Sequence, residues 1–147
     1  TSALRLFNVY GPGQSDNSPY SGVIALFRKK TLAGENLIIY GEGSSTRDFI
    51  HVDDVVLAFT TCAEQLLETG VESGCSGESF NVCTGELTTI LELAELCIEM
   101  AGQGSEVEMF PAREGDVEHS SGSSAKIKRH LEWEAEVSLE HGLLGIL

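Results

Sequence analysis

The 147-residue sequence is poor in positive charge, with 9 Lys+Arg against 23 Asp+Glu and a formal net charge of −14 at pH 7. A surface with this excess of acids repels polyanions, so we expect neither nucleic acid nor an anionic membrane as a partner. No apolar run approaches the ~20 residues of a membrane-spanning helix. A hydrophobic content of 41% excludes a disordered chain. The length predicts a single unit over residues 1–147.

The few basic residues are unevenly distributed. Residues 51–100 contain 10 acids and no Lys or Arg. Because an anionic ligand needs positive charge, we expect any such ligand near the arginines, chiefly Arg5, Arg47 and Arg113.

The four cysteines, at positions 62, 75, 83 and 97, form no metal or redox motif. Their spacing contains no C-x-x-C and no zinc pattern with the four histidines. Three of them lie within apolar stretches, which is typical of reduced core cysteines in a cytoplasmic protein. The N-terminus carries no signal-peptide pattern, so we expect a cytoplasmic location.

The sequence has only two methionines, Met100 and Met109, and it begins with Thr1. A translation product ordinarily begins with Met. We therefore expect the chain to be a fragment, a processed product, or a sequence whose start is missing.

Strand patterns alternate with helix patterns along the chain, which predicts an α/β fold. We predict strands at 3–10, 37–40, 47–52, 79–83 and 107–110, and helices at 18–33, 53–69, 89–101, 124–131 and from 138 onward.

Several helix starts carry capping residues. Ser18-Pro19 suits an N-cap and first helical position, Asp53 suits the cap of the next helix, and Thr89 with Glu92 forms a capping box. Asp53 and Asp54 invite a metal or paired-carboxylate hypothesis, but carboxylates are favoured at a helix N-terminus for electrostatic reasons alone. We interpret His51, on the preceding strand, as a packed histidine rather than a base.

Five ordered blocks carry a resemblance to a known family. They are LRLFNVYGPG (4–13), SPYSGVIALF (18–27), IYGEGSSTRDFIHVDDVVLAF (39–59), SFNVCTGELTTILELAEL (79–96) and PAREGDVEHS (111–120). This succession resembles the second half of NAD-dependent nucleotide-sugar epimerases and dehydratases, in the extended short-chain dehydrogenase/reductase family. Within that family it looks most like UDP-glucose and UDP-N-acetylglucosamine 4-epimerases.

The resemblance implies both a fold and a function. The fold implied is the last part of a Rossmann-like NAD-binding fold plus the smaller C-terminal substrate-binding subdomain. The function implied is binding of a UDP-sugar within an enzyme that transiently oxidises the sugar C4 hydroxyl with NAD. The family uses NAD, but we expect none bound to this chain alone. Its expected partners are the UDP-sugar and either the missing N-terminal NAD-binding half or a second copy.

Four residues are implied to contact the nucleotide-sugar. Arg47 and Arg113 match family arginines on the diphosphate, where a planar fork of donors is suited to phosphate; the alternative is a solvated arginine or a surface ion pair. Asn8 matches the asparagine that faces the nucleotide-sugar; the alternative is an amide bonded to a neighbouring loop. Asp116 matches an acid near the ribose in several members; its alternative is a turn residue.

Two weaker assignments follow from the same resemblance. Phe7 matches a position beside the nicotinamide and is the one predicted cofactor-binding residue, although a core aromatic explains it equally well. Residues 22–26 resemble the segment whose backbone borders the uracil.

The catalytic pair of the family, a tyrosine with a lysine four residues later, has no match in this sequence. Tyr10, Tyr20 and Tyr40 are each followed at that spacing by a residue other than lysine. A glycine fingerprint for the NAD pyrophosphate is also missing. Two hypotheses remain: the substrate-binding half of a 4-epimerase, inactive alone, or a non-catalytic binding or assembly module. In the isolated chain, we expect the apolar strand 3–10 and the helices 53–69 and 89–101 to lack cover, so that the chain self-associates or exists only beside the missing half.

Overall fold

The computed structural model describes residues 1–15 and 22–147 and consists of short strands alternating with helices. The strands are β1 (Ala3–Leu6), β2 (Asn8–Tyr10), β3 (Leu37–Tyr40), β4 (Thr46–Arg47), β5 (Phe49–His51), β6 (Ser79–Val82), β7 (Thr88–Thr89), β8 (Val107–Phe110) and β9 (His119–Ser120). The helices are α1 (Val23–Leu32), α2 (Val52–Thr69), α3 (Ile90–Ala101), α4 (Ala125–Leu131) and α5 (Leu139–Leu144), with a 3-10 turn at Gly70–Glu72.

The strand pairs are mostly parallel. β1 pairs with β6, β2 with β5, and β3 with β8, all in parallel, while β4 lies between antiparallel β7 and parallel β9. Parallel partners need long crossover connections, and helices supply most of these here. The predicted α/β class is confirmed.

The predicted strand over residues 3–10 is two strands. The Phe7 amide donates to the Val82 carbonyl at 3.2 Å, and the next amide, that of Asn8, donates to the Asp48 carbonyl at 3.2 Å. The chain therefore changes partner between these two residues, from β6 to β5. Hydrophobicity cannot reveal this change, because both halves are apolar.

The predicted strand over 47–52 is also divided, into β4 and β5, and Val52 already belongs to α2. The cap of α2 is His51, whose Nδ1 accepts from the Asp53 amide at 3.3 Å, so the prediction that Asp53 is the cap is wrong. The ring of His51 is buried and meets Tyr10 edge-on at 5.4 Å, which confirms a packed histidine.

Local signals predicted other boundaries correctly. The capping box of Thr89 and Glu92 is present at the start of α3, and Ser138 caps α5 by accepting from the His141 amide. Helix α1 begins at Val23 with no side-chain cap, whereas the predicted start at Ser18-Pro19 lies outside the described residues.

Two apolar clusters form the core. The first packs α1, α3 and α5 around β3, and the second packs α2 and α4 against β5 and β6. All four cysteines are buried with free thiols, as expected for reduced core residues.

Asp54 connects the start of α2 to the segment between α4 and α5. It is 3% exposed, and its carboxylate accepts from the amides of Glu136 at 3.0 Å and Val137 at 3.2 Å. The Trp133 indole donates to its carbonyl at 3.2 Å. Asp54 thus fixes the segment before α5 against α2, beyond the helix-start role that we predicted.

Large apolar side chains are exposed on α2 and on β1. Val56, Phe59 and Leu67 on α2 are 54%, 51% and 87% exposed, and Leu6 on β1 is 44% exposed. Helix α3, by contrast, buries its apolar face in the first cluster, so the expectation that it would lack cover is wrong. Within the described ranges, no helix has the length and hydropathy to cross a membrane.

Candidate functional site

A cavity of about 730 Å³ lies within the described structure, and this volume is within the range of small-molecule sites. Its wall is formed by α1, the strands β2, β3 and β4, and the loop after β8. Four residues assigned from the sequence to the nucleotide-sugar meet there: Asn8, Arg47, Arg113 and Asp116. They are up to 108 positions apart in the chain, so only the tertiary fold brings them together.

The guanidinium of Arg47 is held by backbone carbonyls. Its Nη1 donates to the Thr46 carbonyl at 2.8 Å and to the Glu118 carbonyl at 3.4 Å, and its Nη2 donates to the Val117 carbonyl at 2.7 Å. The side chain is half-buried and remains on the cavity wall. Arg47 is therefore neither a freely solvated arginine nor half of a surface ion pair with a described residue.

Arg113 stacks on an aromatic ring. Its guanidinium carbon lies 3.4 Å from the centre of the Tyr40 ring, and the Phe110 ring lies 6.1 Å from Tyr40 on β8. A cation over an aromatic face is attracted by the ring quadrupole, and the stack fixes the plane of the guanidinium. The Asp116 amide donates to the Arg113 carbonyl at 3.4 Å, so these two residues span one turn.

Asn8 is bonded through one end of its amide. Its Nδ2 donates to the Asp48 carbonyl at 2.8 Å, which fixes the orientation of the side chain. The Oδ1 atom accepts no hydrogen bond from the described residues, and Asn8 lines the cavity. The neighbouring-loop alternative therefore accounts for the Nδ2 group of the amide, and the Oδ1 atom can accept a hydrogen bond from a ligand.

Asp48, next to Arg47, is a buried residue that sequence reasoning missed. It is 0% exposed, and its carboxylate accepts from the Thr84 amide (2.9 Å), the Thr84 hydroxyl (2.8 Å) and the Gly85 amide (2.8 Å). These bonds secure the loop after β6 against the strand that carries Arg47. An acid within the predicted strand RDFIHV, directly before the apolar pair Phe49-Ile50, is the available signal, since such an acid needs several donors when buried.

Tyr10 also lies on the cavity wall. Its hydroxyl is directed at the carbonyls of Ser138 at 3.5 Å and Leu139 at 3.4 Å. Burial raises its pKa well above the ordinary value, and the nearby carboxylates of Asp54 and Glu140 raise it further. Tyr10 therefore stays protonated and is unsuited to act as a base near neutral pH.

Phe7 lies apart from the cavity. A Cβ atom added to Gly122 would come within 2.4 Å of the Phe7 ring and 2.8 Å of the Cys83 sulfur, so the ring packs on that glycine. Phe7 is half-buried and belongs to neither apolar cluster, so its assignment beside the nicotinamide stays a prediction.

The 22–26 segment divides between two surfaces. Gly22, Val23, Ile24 and Leu26 line the large cavity, whereas Ala25 lies on a smaller one of about 360 Å³. In the described ranges, no cluster of three or more His, Cys, Asp or Glu residues could hold a metal ion.

Sequence comparison places this α/β unit in a family. Residues 1–83, more than half of the chain, match the family described as "NAD dependent epimerase/dehydratase family". The chain belongs to the NAD-dependent epimerase/dehydratase family.

Curated and solved relatives are consistent with this membership. The UDP-glucose 4-epimerase of Mycolicibacterium smegmatis is 38% identical over 136 residues, which are 92% of this chain and 41% of that protein. The crystal structure of a Thermotoga maritima UDP-glucose 4-epimerase with UDP-glucose matches with a TM-score of 0.86 and 39% identity, covering 97% of this chain and 43% of that one. A Thermus thermophilus UDP-glucose 4-epimerase in complex with NAD matches with a TM-score of 0.79 and 32% identity, covering 97% and 44%. The chain thus spans about two fifths of the length of these relatives.

Proposed function

We propose that the large cavity binds a UDP-sugar and that this unit is the nucleotide-sugar-binding part of a 4-epimerase. The observation that carries the proposal is the convergence of Arg47, Arg113, Asn8 and Asp116 on one cavity. A diphosphate requires cationic, multidentate donors, and this chain has only nine basic residues to supply them. The presence of two of its arginines on one cavity wall supports an anionic ligand.

Each residue has a chemically suitable role in this proposal. Arg113, held flat on Tyr40, offers its outer N–H groups to the diphosphate. Asp116 lies within the same turn and can accept from ribose hydroxyls. Asn8 presents a free carbonyl oxygen to a sugar hydroxyl. The 22–26 segment, which contributes Gly22 and Val23 to the cavity wall, would border the base.

NAD chemistry in this proposal belongs to a second unit, in the same polypeptide or in another. When bound, NAD accepts and returns the hydride at the sugar C4. This sequence has neither the Tyr-x-x-x-Lys pair nor the glycine fingerprint. We therefore expect the 147-residue chain to turn over neither UDP-glucose nor UDP-N-acetylglucosamine when NAD is added.

The surface of Leu6, Val56, Phe59 and Leu67 is where we place the contact with that NAD-binding unit. Strand β1 pairs only with β6 among the described strands, so its other edge can accept a further parallel strand. A second copy of this chain is a less favourable partner for this surface. It would bring two copies of the acidic, base-free segment 51–100 together, and these would repel each other.

The test is titration calorimetry of the chain with UDP and UDP-glucose. We expect Arg113→Ala to weaken binding roughly tenfold, since a charge-assisted hydrogen bond contributes ~1.5–3 kcal/mol. Arg113→Lys should recover only part of the loss, because an ammonium cannot form the fork. Arg129→Ala, at an exposed position on α4, is the matched control and should bind like the wild type. A wild type that fails to bind UDP, or an Arg113→Ala variant with unchanged affinity, would overturn the proposal.

A further inference from the structure

The guanidinium of Arg47 joins two parts of the site that are 70 residues apart. Through Thr46 it contacts its own strand, and through Val117 and Glu118 it contacts the loop before β9. That loop is the one that carries Arg113 and Asp116. Residues 111–119 are all exposed, so the loop gains little stability from burial in the core. Hydrogen bonds to Arg47 therefore help to fix its position.

Other bonds to the loop lie at its ends. The Thr46 amide donates to the Glu118 carbonyl at 2.9 Å, and the Asp48 amide donates to the Ser120 carbonyl at 3.0 Å, which form the β4–β9 ladder. The Val117 carbonyl is beyond this ladder, and its partner is the Arg47 Nη2 at 2.7 Å. Arg47 thus extends the attachment from β9 toward the turn that holds Arg113 and Asp116.

The donors of Arg47 are divided between the backbone and the cavity. A guanidinium has five N–H groups. Two on Nη1 and one on Nη2 are directed at carbonyls, which leaves the second Nη2–H and the Nε–H. The N–H groups that remain can donate to an anion in the cavity. One side chain can thus hold the loop and the ligand at once.

We infer that Arg47 is a positioning residue for the Arg113–Asp116 loop, in addition to any contact with the diphosphate. The inference rests on the proposed function, because the loop matters only if the cavity binds a nucleotide. Its consequence is that Arg47 controls binding of the nucleoside part, which carries no phosphate. A residue that only touched phosphate would have no effect on that part.

The test compares uridine with UDP by titration calorimetry. We expect Arg47→Ala to lower the affinity for uridine roughly three- to tenfold, as for the loss of a hydrogen bond that fixes the site, and the affinity for UDP by at least as much. Arg113→Ala should lower the affinity for UDP and leave uridine unchanged. Arg47→Lys should recover part of the uridine affinity, because an ammonium can still donate to a loop carbonyl.

A second measurement needs no ligand. In the ligand-free chain, amide hydrogen exchange over residues 114–118 should be faster in Arg47→Ala than in the wild type, and unchanged in the Arg129→Ala control. Unchanged exchange in Arg47→Ala, or an unchanged uridine affinity beside a reduced UDP affinity, would overturn the inference. A wild type that binds neither uridine nor UDP would overturn the proposed function, and the exchange experiment would still decide the role of Arg47.

Discussion

The guanidinium carbon of Arg113 lies 3.4 Å above the centre of the Tyr40 ring, so an exposed loop arginine is stacked on the last residue of β3. The Tyr40 ring is in turn tilted against Phe110, on the strand paired with β3. An arginine on an eight-residue exposed loop would otherwise sample many rotamers. The stack holds the Arg113 guanidinium at the cavity wall and so preorganises it to bind an anion.

Replacing Tyr40 tests this stack. We expect Tyr40→Leu to weaken UDP binding about two- to fivefold, because an exposed cation–π contact contributes ~0.5–1 kcal/mol. Tyr40→Phe keeps the ring and should bind UDP like the wild type. Equal UDP affinities for the Leu and Phe variants in calorimetry would show that the ring does not prepare Arg113.

Asp54 should be a stability residue, in contrast to its neighbour Asp53. Loss of its carboxylate leaves the amides of Glu136 and Val137 without acceptors, so Asp54→Ala should lower the free energy of unfolding by ~1.5–3 kcal/mol. The Asp53 side chain is 78% exposed, and Asp53→Ala should cost less than about 1 kcal/mol. Urea unfolding of both variants measures the difference. Similar losses of unfolding free energy would contradict the stabilising role of Asp54.

The capping box of α3 should make stability depend on acid. Bonds from the Thr89 amide and hydroxyl lower the pKa of Glu92 below its ordinary 4.5. A lowered folded-state pKa means that the stabilisation is present above the unfolded-state pKa and is lost as the pH falls through the folded-state value. Glu92→Gln replaces the carboxylate with a neutral amide that still suits a capping box. The variant should therefore be less stable than the wild type at pH 7, and the difference in stability should shrink below about pH 4.5. Urea unfolding of both chains measures this; a difference in the free energy of unfolding that is the same at all pH values would contradict the prediction.

Buried cysteines should resist alkylation. Burial raises the pKa of Cys97 to about 12 and that of Cys83 to about 11, and the thiolate is the reactive form. At pH 8 we therefore expect neither thiol to react with iodoacetamide in the native chain and both to react in urea. Peptide mass spectrometry measures the modification; rapid native labelling of Cys97 would show that α3 opens readily.

The exposed surface on α2 should drive association of the isolated chain. A net charge of −14 opposes contact between copies, so the mass measured by light scattering should rise with NaCl as the repulsion is screened. Val56→Asp with Phe59→Asp should lower both this mass and the binding of a hydrophobic dye. Leu144→Asp, at an exposed position on α5, is the matched control. A wild-type monomer at all salt concentrations that binds no dye would contradict the docking surface.

Features set by neighbouring residues could be predicted from the sequence alone. The strands Leu37–Tyr40 and Val107–Phe110, the capping box at Thr89, and the ends of α2 and α3 agree with the prediction. Each depends on propensity, capping or glycine within a few positions. The ordered blocks also sufficed to indicate the family, because their residue types and order are themselves sequence properties.

Features set by distant partners required the tertiary structure. The break at Phe7 arises because its amide and that of Asn8 bond to segments about 75 and 40 residues away. Asp48 can be buried because its carboxylate accepts hydrogen bonds from Thr84 and Gly85, which lie 36 and 37 positions away along the chain. The same is true of the candidate site, where Arg47 reaches carbonyls 70 and 71 positions away. The sequence determined which side chains could bind an anion, and the tertiary structure decided which of them share a cavity, because long-range hydrogen bonds and strand pairing leave no local signal.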